Sequence, residues 1–381
     1  MCRKNNPRLY LALEVVIGED HFKGIHDQWI SKEKNDPFDS LDDFLNKHSG
    51  KHILIFISYD VKNHIEDLQT NHKNVLKFPL IHCIVPVEKH RFKGFEFEKK
   101  MNEDHIQFEP KISKKKYIET IRKIKNHIQN GDFYEANFCY EWTSNVKNFN
   151  AKNIFGKLSN LTQAPYKVYA DLMQHYVVSA SPELFLKKRG NQLLSSPIKG
   201  TRKRMTDETS DNEIKKELHE NTKERAENIM IVDLVRNDLS KIAKRNTVKV
   251  KELCQVYTFK NIHQMISTIS CDLKNNVSFG DIIKATFPMG SMTGAPKLRV
   301  MKLMDKYEPS RRGLYSGSIG KIKPNGDFDL NVVIRTLIYN KAKQLLSFHV
   351  GGAITIQSSA EDEYEETLIK AASLFKACKN D

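Results

Sequence analysis

"GSIGKIKPNGDFDLNVVIRTLIYN", residues Gly317–Asn340, decides the fold. Two stretches rich in apolar and β-branched residues flank Pro324–Asp327, a Pro-Asn-Gly-Asp run that suits a tight reversal. Strands joined by so short a link run antiparallel, because a parallel pair needs a crossover of about a dozen residues. A third strand-like stretch, "QLLSFHVGGAIT" (Gln344–Thr355), follows at hairpin spacing. Upstream, "YKVYADL", "HYVVSASPELFLKKR" and "NQLLSSPIKG" read as further strands. Helical periodicity covers Lys111–Ile128, Asn212–Ala243 and a last segment from about Ala360. Residues 1–100 alternate short apolar runs with lysine-rich connectors. Strand clusters separated by long helices predict an α+β fold with layered antiparallel strands rather than a doubly wound sheet, and the absence of repeats or low-complexity linkers predicts one domain over 1–381.

Composition narrows the function classes. Of 381 residues, 39% are hydrophobic and 28% charged, as in a globular protein. No apolar run approaches the roughly 18 residues of a membrane span. "MCRKNNPRLYLALEVV" lacks a secretory cleavage site, so a cytoplasmic location is expected. Six cysteines (Cys2, Cys83, Cys139, Cys254, Cys271, Cys378) form no C-x-x-C pair, which argues against a zinc site or a disulfide framework. The net charge of +14 raises nucleic-acid binding. Yet Ile118, Ile121, Ile124 and Ile128 recur at helical spacing inside the basic run, so its lysines read as one solvated helix face. An anionic small substrate also suits a basic protein.

Several local patterns carry chemistry. Glu220, Glu224 and Glu227 stack on one helix face, as do Glu363, Glu366 and Lys370 near the C-terminus. Each alone reads as a solvated acidic face; two together suggest a hard divalent cation, which takes a few carboxylate oxygens plus substrate and water. "FPMGSMTGAPK" runs from a glycine- and hydroxyl-rich loop into a helix opening at Pro296, where free amides favour anions. In "DFDLNVVIRTL", strand alternation puts Asp329, Asn331 and Arg335 on one face, and the arginine calls for an anionic partner, either an internal aspartate or a substrate carboxylate. Lys199 sits between Ile198 and Gly200 in "SSPIKGTRKR" and reads as an exposed strand-end charge or as a group aimed into a site.

Seven ordered motifs between Tyr117 and Ala372 carry a family resemblance: "SASPELF", "SPIKGTR", "KERAENIMIVDLVRNDL", "FPMGSMTGAPK", "RRGLYSGSIG", "DFDLNVVIRTL" and "EDEYEETLIKA". In order they resemble the motif series of the chorismate-utilising enzymes, which include anthranilate, aminodeoxychorismate, isochorismate and salicylate synthases. Residues 111–378 match as the catalytic core. Residues 1–110 match weakly, apart from "ISYDVKNHIE", and look short for the family.

The resemblance implies two antiparallel sheets packed together with helices outside. It implies magnesium held by Glu227 and Glu366, with Glu224 and Glu363 in support, and chorismate bound through that ion. Arg335 and Tyr315 match residues that grip the pyruvyl carboxylate, helped by Lys370 and the amides around Gly351 and Gly352. Glu183 matches the general acid that protonates the departing C4 hydroxyl, His263 an active-site histidine, and Ser291, Thr293 and Gly294 line the substrate. The "PIKGT" form resembles members that aminate C4, whereas the other members named carry alanine at the lysine's place. There a desolvated amine near a metal, with lowered pKa, adds to C2 before ammonia enters at C4. The implied product is 4-amino-4-deoxychorismate, on the route to 4-aminobenzoate and folate.

No glutaminase signature accompanies these motifs, so ammonia is expected from a separate glutamine amidotransferase subunit, and conversion of the product to 4-aminobenzoate is expected to need another enzyme. Glu135 stands where amine-transferring members usually have glutamine and water-adding members lysine, and Ala353 where many have a third glycine. The "LLES" signature of tryptophan-regulated anthranilate synthases is absent. Anthranilate synthase component I is the nearest alternative function; a basic nucleic-acid-binding protein and a non-catalytic relative are the others.

Overall fold

The computed structural model describes residues 13–31, 36–95, 106–260 and 262–379; Cys2 lies outside them. Among these residues hydrogen bonding links eighteen strands without a break, and the pairings are antiparallel. The path begins at Glu135–Asn145 and passes through Leu345–Ile354, Thr336–Asn340, His175–Ser181, Tyr166–Asp171 and Glu14–Ile17. It continues through Asp20–Ile30, Ile81–Arg91, Ile53–Ile57, Ser318–Ile322 and Phe328–Asn331. Leu184–Arg189 and Gln192–Ser196 then lead to Ile262–Asp272, which also pairs with Ile198–Lys203 and Lys249–Thr258.

Alternation along the strands shows that this ribbon folds back on itself. Leu54 and Phe56 pack with Val168, Ala170, Val177 and Ile338 in one core between the two halves. Their neighbours Ile53, Ile55 and Ile57 point the other way, to a core shared with Ile231, Val235 and Leu239 of the helix Thr222–Ser240. Tyr169, Val178 and Leu337 likewise face away, against Ile121 of the helix Lys114–Gln129 and Leu374 of the helix Ala360–Ala377. The order is therefore helix, sheet, sheet, helix, with the two expected sheets continuous rather than separate. Each fully buried Leu, Ile or Phe contributes about 1.5–3 kcal/mol to this arrangement.

Two sequence expectations need correction, and two strands are added. The helix expected over Asn212–Ala243 is two helices, Glu208–Glu220 and Thr222–Ser240. Asn221 adopts an extended ψ of 110° and its side chain accepts from the Glu224 amide, which starts the second helix while ending the first. The strand expected through "DFDLNVVIRTL" stops at Asn331 and resumes at Thr336. Between them the chain crosses from one sheet layer to the other, and Arg335 takes a left-handed φ of 51°. The half-exposed strand Lys249–Thr258 and its partner Ile262–Asp272 are additions, their alternation masked by lysines and polar residues. Among the described residues no helix is long and apolar enough to cross a membrane.

Candidate active site

Lys199 lies on the strand Ile198–Lys203, with its side chain only 10% exposed, and its Nζ donates to Glu135 Oε1 at 2.7 Å. Glu135 opens the strand Glu135–Asn145, is wholly buried, and leaves Oε2 without a hydrogen-bond partner. Gly200 holds a φ of 85°, and a Cβ there would lie 3.0 Å from Leu218 and 3.1 Å from Glu224. Glycine thus lets the Glu224 carboxylate reach the strand beside the lysine. The lowered lysine pKa implied by the resemblance is that of a desolvated amine near a metal, whereas this amine lies among carboxylates. Burial does disfavour the charge, but Glu135, Glu227 and Glu183 outweigh it and hold the amine well above its ordinary value.

Glu183 follows Pro182 at the break between the strands His175–Ser181 and Leu184–Arg189. Burial pushes its carboxyl up to about 7, against the opposing pull of the Ser291 hydroxyl, Lys199 and the Ile198 amide. Ser291 Oγ donates to Glu183 Oε1 at 2.7 Å from a short 3-10 turn, Gly290–Met292. Thr293 turns its hydroxyl back onto the carbonyls of Met289 and Gly290. Gly294 pairs with Ala136; at its φ of 145° a Cβ would stand 2.0 Å from the Glu135 carbonyl, so this loop and the Glu135 strand approach closely only through glycine.

The two acidic helices converge. Lys223 Nζ lies 3.9 Å from Glu227 Oε1 and 3.8 Å from Glu363 Oε1, bridging the helix Thr222–Ser240 to the C-terminal helix. Glu227 Oε1 is buried without a hydrogen bond, and desolvation, with Glu135 adding repulsion against the pull of Lys199, raises this carboxyl to about 7. Glu363 is raised by burial and accepts from Ser358 Oγ at 2.6 Å. Glu366 is half exposed and bound to Lys370 Nζ at 2.6 Å, while Glu224 accepts from Arg202 at 3.1 Å. Among the described residues no three His, Cys, Asp or Glu side chains are gathered tightly enough to hold a metal. Ammonium and guanidinium groups occupy the carboxylates instead.

On the far strands, Lys370 Nζ also donates to the Gly351 carbonyl at 3.1 Å. Gly351 and Gly352 pair with Cys139 and Phe138, and a Cβ on Gly352 would come within 3.0 Å of Glu363 Oε2. Tyr315 is buried, stacked on His349 at 5.2 Å and within 3.8 Å of Cys139 Sγ. The aspartate of its motif does not serve Arg335, since Asp329 takes both its short bonds from Arg189, at 2.6 and 2.7 Å. Among the described residues the Arg335 guanidinium makes no hydrogen bond or ion pair, and burial lowers its pKa. A half-buried, unpaired guanidinium of this kind suits a carboxylate ligand.

His263 stands apart from the expected role. Its Nε2 meets Asp211 at 2.9 Å and its Nδ1 meets Thr258 at 3.0 Å, so both ring nitrogens are committed to joining neighbouring elements. Two groups escaped the sequence reading. Lys223 could have been found, because it precedes Glu227 by four on one helix face. Asn137, whose Nδ2 fixes the Ser291 carbonyl at 3.1 Å, carries no local signal.

The architecture has close structural likenesses. Anthranilate synthase component I from Streptococcus pneumoniae superposes with a TM-score of 0.82 at 22% identity, covering 98% of this chain and 94% of that one. At family level, the chorismate binding enzyme model matches residues 10–376, and the chain belongs to that family. It is 32% identical over 329 residues to anthranilate synthase component 1 of Aquifex aeolicus, covering 86% of this chain and 65% of that protein. It is 35% identical over 265 residues to aminodeoxychorismate synthase component 1 of Escherichia coli, covering 70% of this chain and 58% of that protein. The chain therefore aligns with less than two thirds of the length of these curated relatives.

Proposed function

We propose that this chain acts as the synthase subunit that converts chorismate and ammonia to 4-amino-4-deoxychorismate. The observation that carries this reading is the buried Lys199 amine, held at 2.7 Å by Glu135 and within the field of Glu183 and Glu227. In the reaction, Nζ adds to ring carbon C2 while the C4 hydroxyl departs with a proton from Glu183, whose carboxyl near 7 is still substantially protonated at neutral pH. Ammonia enters at C4 and the lysine leaves. Arg335 and Tyr315, with Lys370 and the amides near Gly351 and Gly352, take the pyruvyl carboxylate. Ser291 positions Glu183, and Thr293 and Gly294 shape the wall beside it.

The carboxylates of the two acidic helices would hold magnesium only with oxygens of substrate and water completing the ligand set, since no three of them are gathered tightly enough by themselves. Glu227 offers a buried oxygen without a hydrogen bond and Glu363 lies on the other side of Lys223; Glu366 and Glu224, paired with Lys370 and Arg202, would join them if those pairs opened. Bound there, the ion would supply electrostatic attachment for the ring carboxylate of chorismate. Ammonia is supplied by a glutamine amidotransferase partner, in accord with the designation component 1 in the relatives' names.

A second reading, anthranilate synthesis, draws on the Aquifex aeolicus relative, matched over 86% of this chain. Incubation with chorismate, a magnesium salt and an ammonium salt separates the two. The expected product is 4-amino-4-deoxychorismate by chromatography; fluorescent anthranilate with pyruvate, formed without an added lyase, contradicts the proposal.

A further inference from the structure

Resting on that reading, we infer that Glu135 is the base that takes the proton from Lys199 as its nitrogen bonds to C2, and returns it when the lysine leaves. The amine is the reacting atom and Glu135 touches it directly, at 2.7 Å. Their side chains are 10% and 1% exposed, so water has little access to carry the proton away. The second carboxylate oxygen, Oε2, is buried and unpartnered, and so is free to hold the proton through the covalent stage. The other described carboxylates around the amine make no hydrogen bond to it. Glu183 accepts from Ser291 and serves as the acid, Glu227 lies beside Lys223 at 3.9 Å, and Glu366 binds Lys370.

The protons balance through the cycle. Lys199 passes one proton to Glu135, and its lone pair forms the N–C2 bond as the two conjugated ring double bonds shift and the C4–O bond breaks. The hydroxyl leaves as water with the proton of Glu183. Ammonia then adds at C4, the C2–N bond breaks, and the free amine recovers its proton from Glu135. The new C4 ammonium gives one proton to Glu183, which restores both carboxyls.

A glutamine at this place keeps the hydrogen bond but accepts no proton, so E135Q separates the two roles. In E135Q the amine must lose its proton to solvent before it reacts. Chorismate consumption at pH 7 is expected to fall about 100-fold. The ratio of variant to wild-type rates should then climb about tenfold per pH unit towards pH 9, as one deprotonation requires. Carbamylation of Lys199 by cyanate, read by peptide mass without chorismate, should move the opposite way and quicken in E135Q, because its amine has lost a counter-charge. A merely misfolded variant does not produce this opposition. Superimposable pH profiles for the two proteins, with wild-type turnover intact, overturn the role of Glu135 alone. Wild-type protein that leaves chorismate unconsumed overturns the reaction, and this role with it.

Discussion

Burial of Glu183 couples stability and activity to pH in opposite senses from an ordinary surface carboxylate. Its pKa rises from 4.5 to about 7 on folding. Below pH 4.5 the group is neutral in both states; from there to about 7 the unfolded chain ionises first, so folding stability falls across that window and levels off above it. Urea unfolding of wild type and E183Q should show this directly. The variant should gain on the order of 3 kcal/mol relative to wild type on moving from pH 4.5 to pH 8, and an unchanged difference contradicts the buried state. Activity should also decline above about pH 7, where the acid is lost. The identities of Lys199, Glu183 and Glu227 were legible from motif resemblance. The protonation of Lys199 was not, because it depends on Glu135, 64 positions away, and the side-chain pairing is set by strand packing.

Asn221 shows how one residue positions an element. Its Oδ1 accepts from the Glu224 amide at 3.0 Å, and the helix that starts there carries Glu224 and Glu227 toward the site. N221A should lower stability by about 1 kcal/mol and N221D should retain it, read from urea midpoints; equal midpoints for all three proteins contradict the cap. Helix existence here was readable from periodicity, but the break was not, since Glu220, Glu224 and Glu227 keep a common spacing across it. Arg335 failed for a related reason. Alternation assumes an uninterrupted strand, and the left-handed residue that lets the chain change layers resets which way the side chain points.

At the scale of the molecule, a buried ion pair ties together the segments that meet at the site. Arg312 binds Glu308 through three contacts, the shortest 2.6 Å, and donates to the carbonyls of Met292 and Asn137 and to Ser316. Glu308 in turn accepts from the Cys139 amide at 3.0 Å. R312M should cost about 3–5 kcal/mol, because it strands a buried carboxylate, and R312M/E308L should recover much of that loss. A single variant as stable as wild type removes the pair from this role. The layered antiparallel class was readable from hairpin spacing, whereas the continuity of the two layers and contacts such as Ser291 to Glu183, 108 positions apart, follow from tertiary packing alone. All of these contacts bear on one event at Lys199. The most direct test is mass analysis of the intact protein and its Lys199 peptide after mixing with chorismate and magnesium without ammonia. A gain of one chorismate less one water on that peptide, absent in K199A and discharged by ammonium, is the expected result. Turnover by K199A at the wild-type rate, or wild-type turnover that never labels Lys199, contradicts the account.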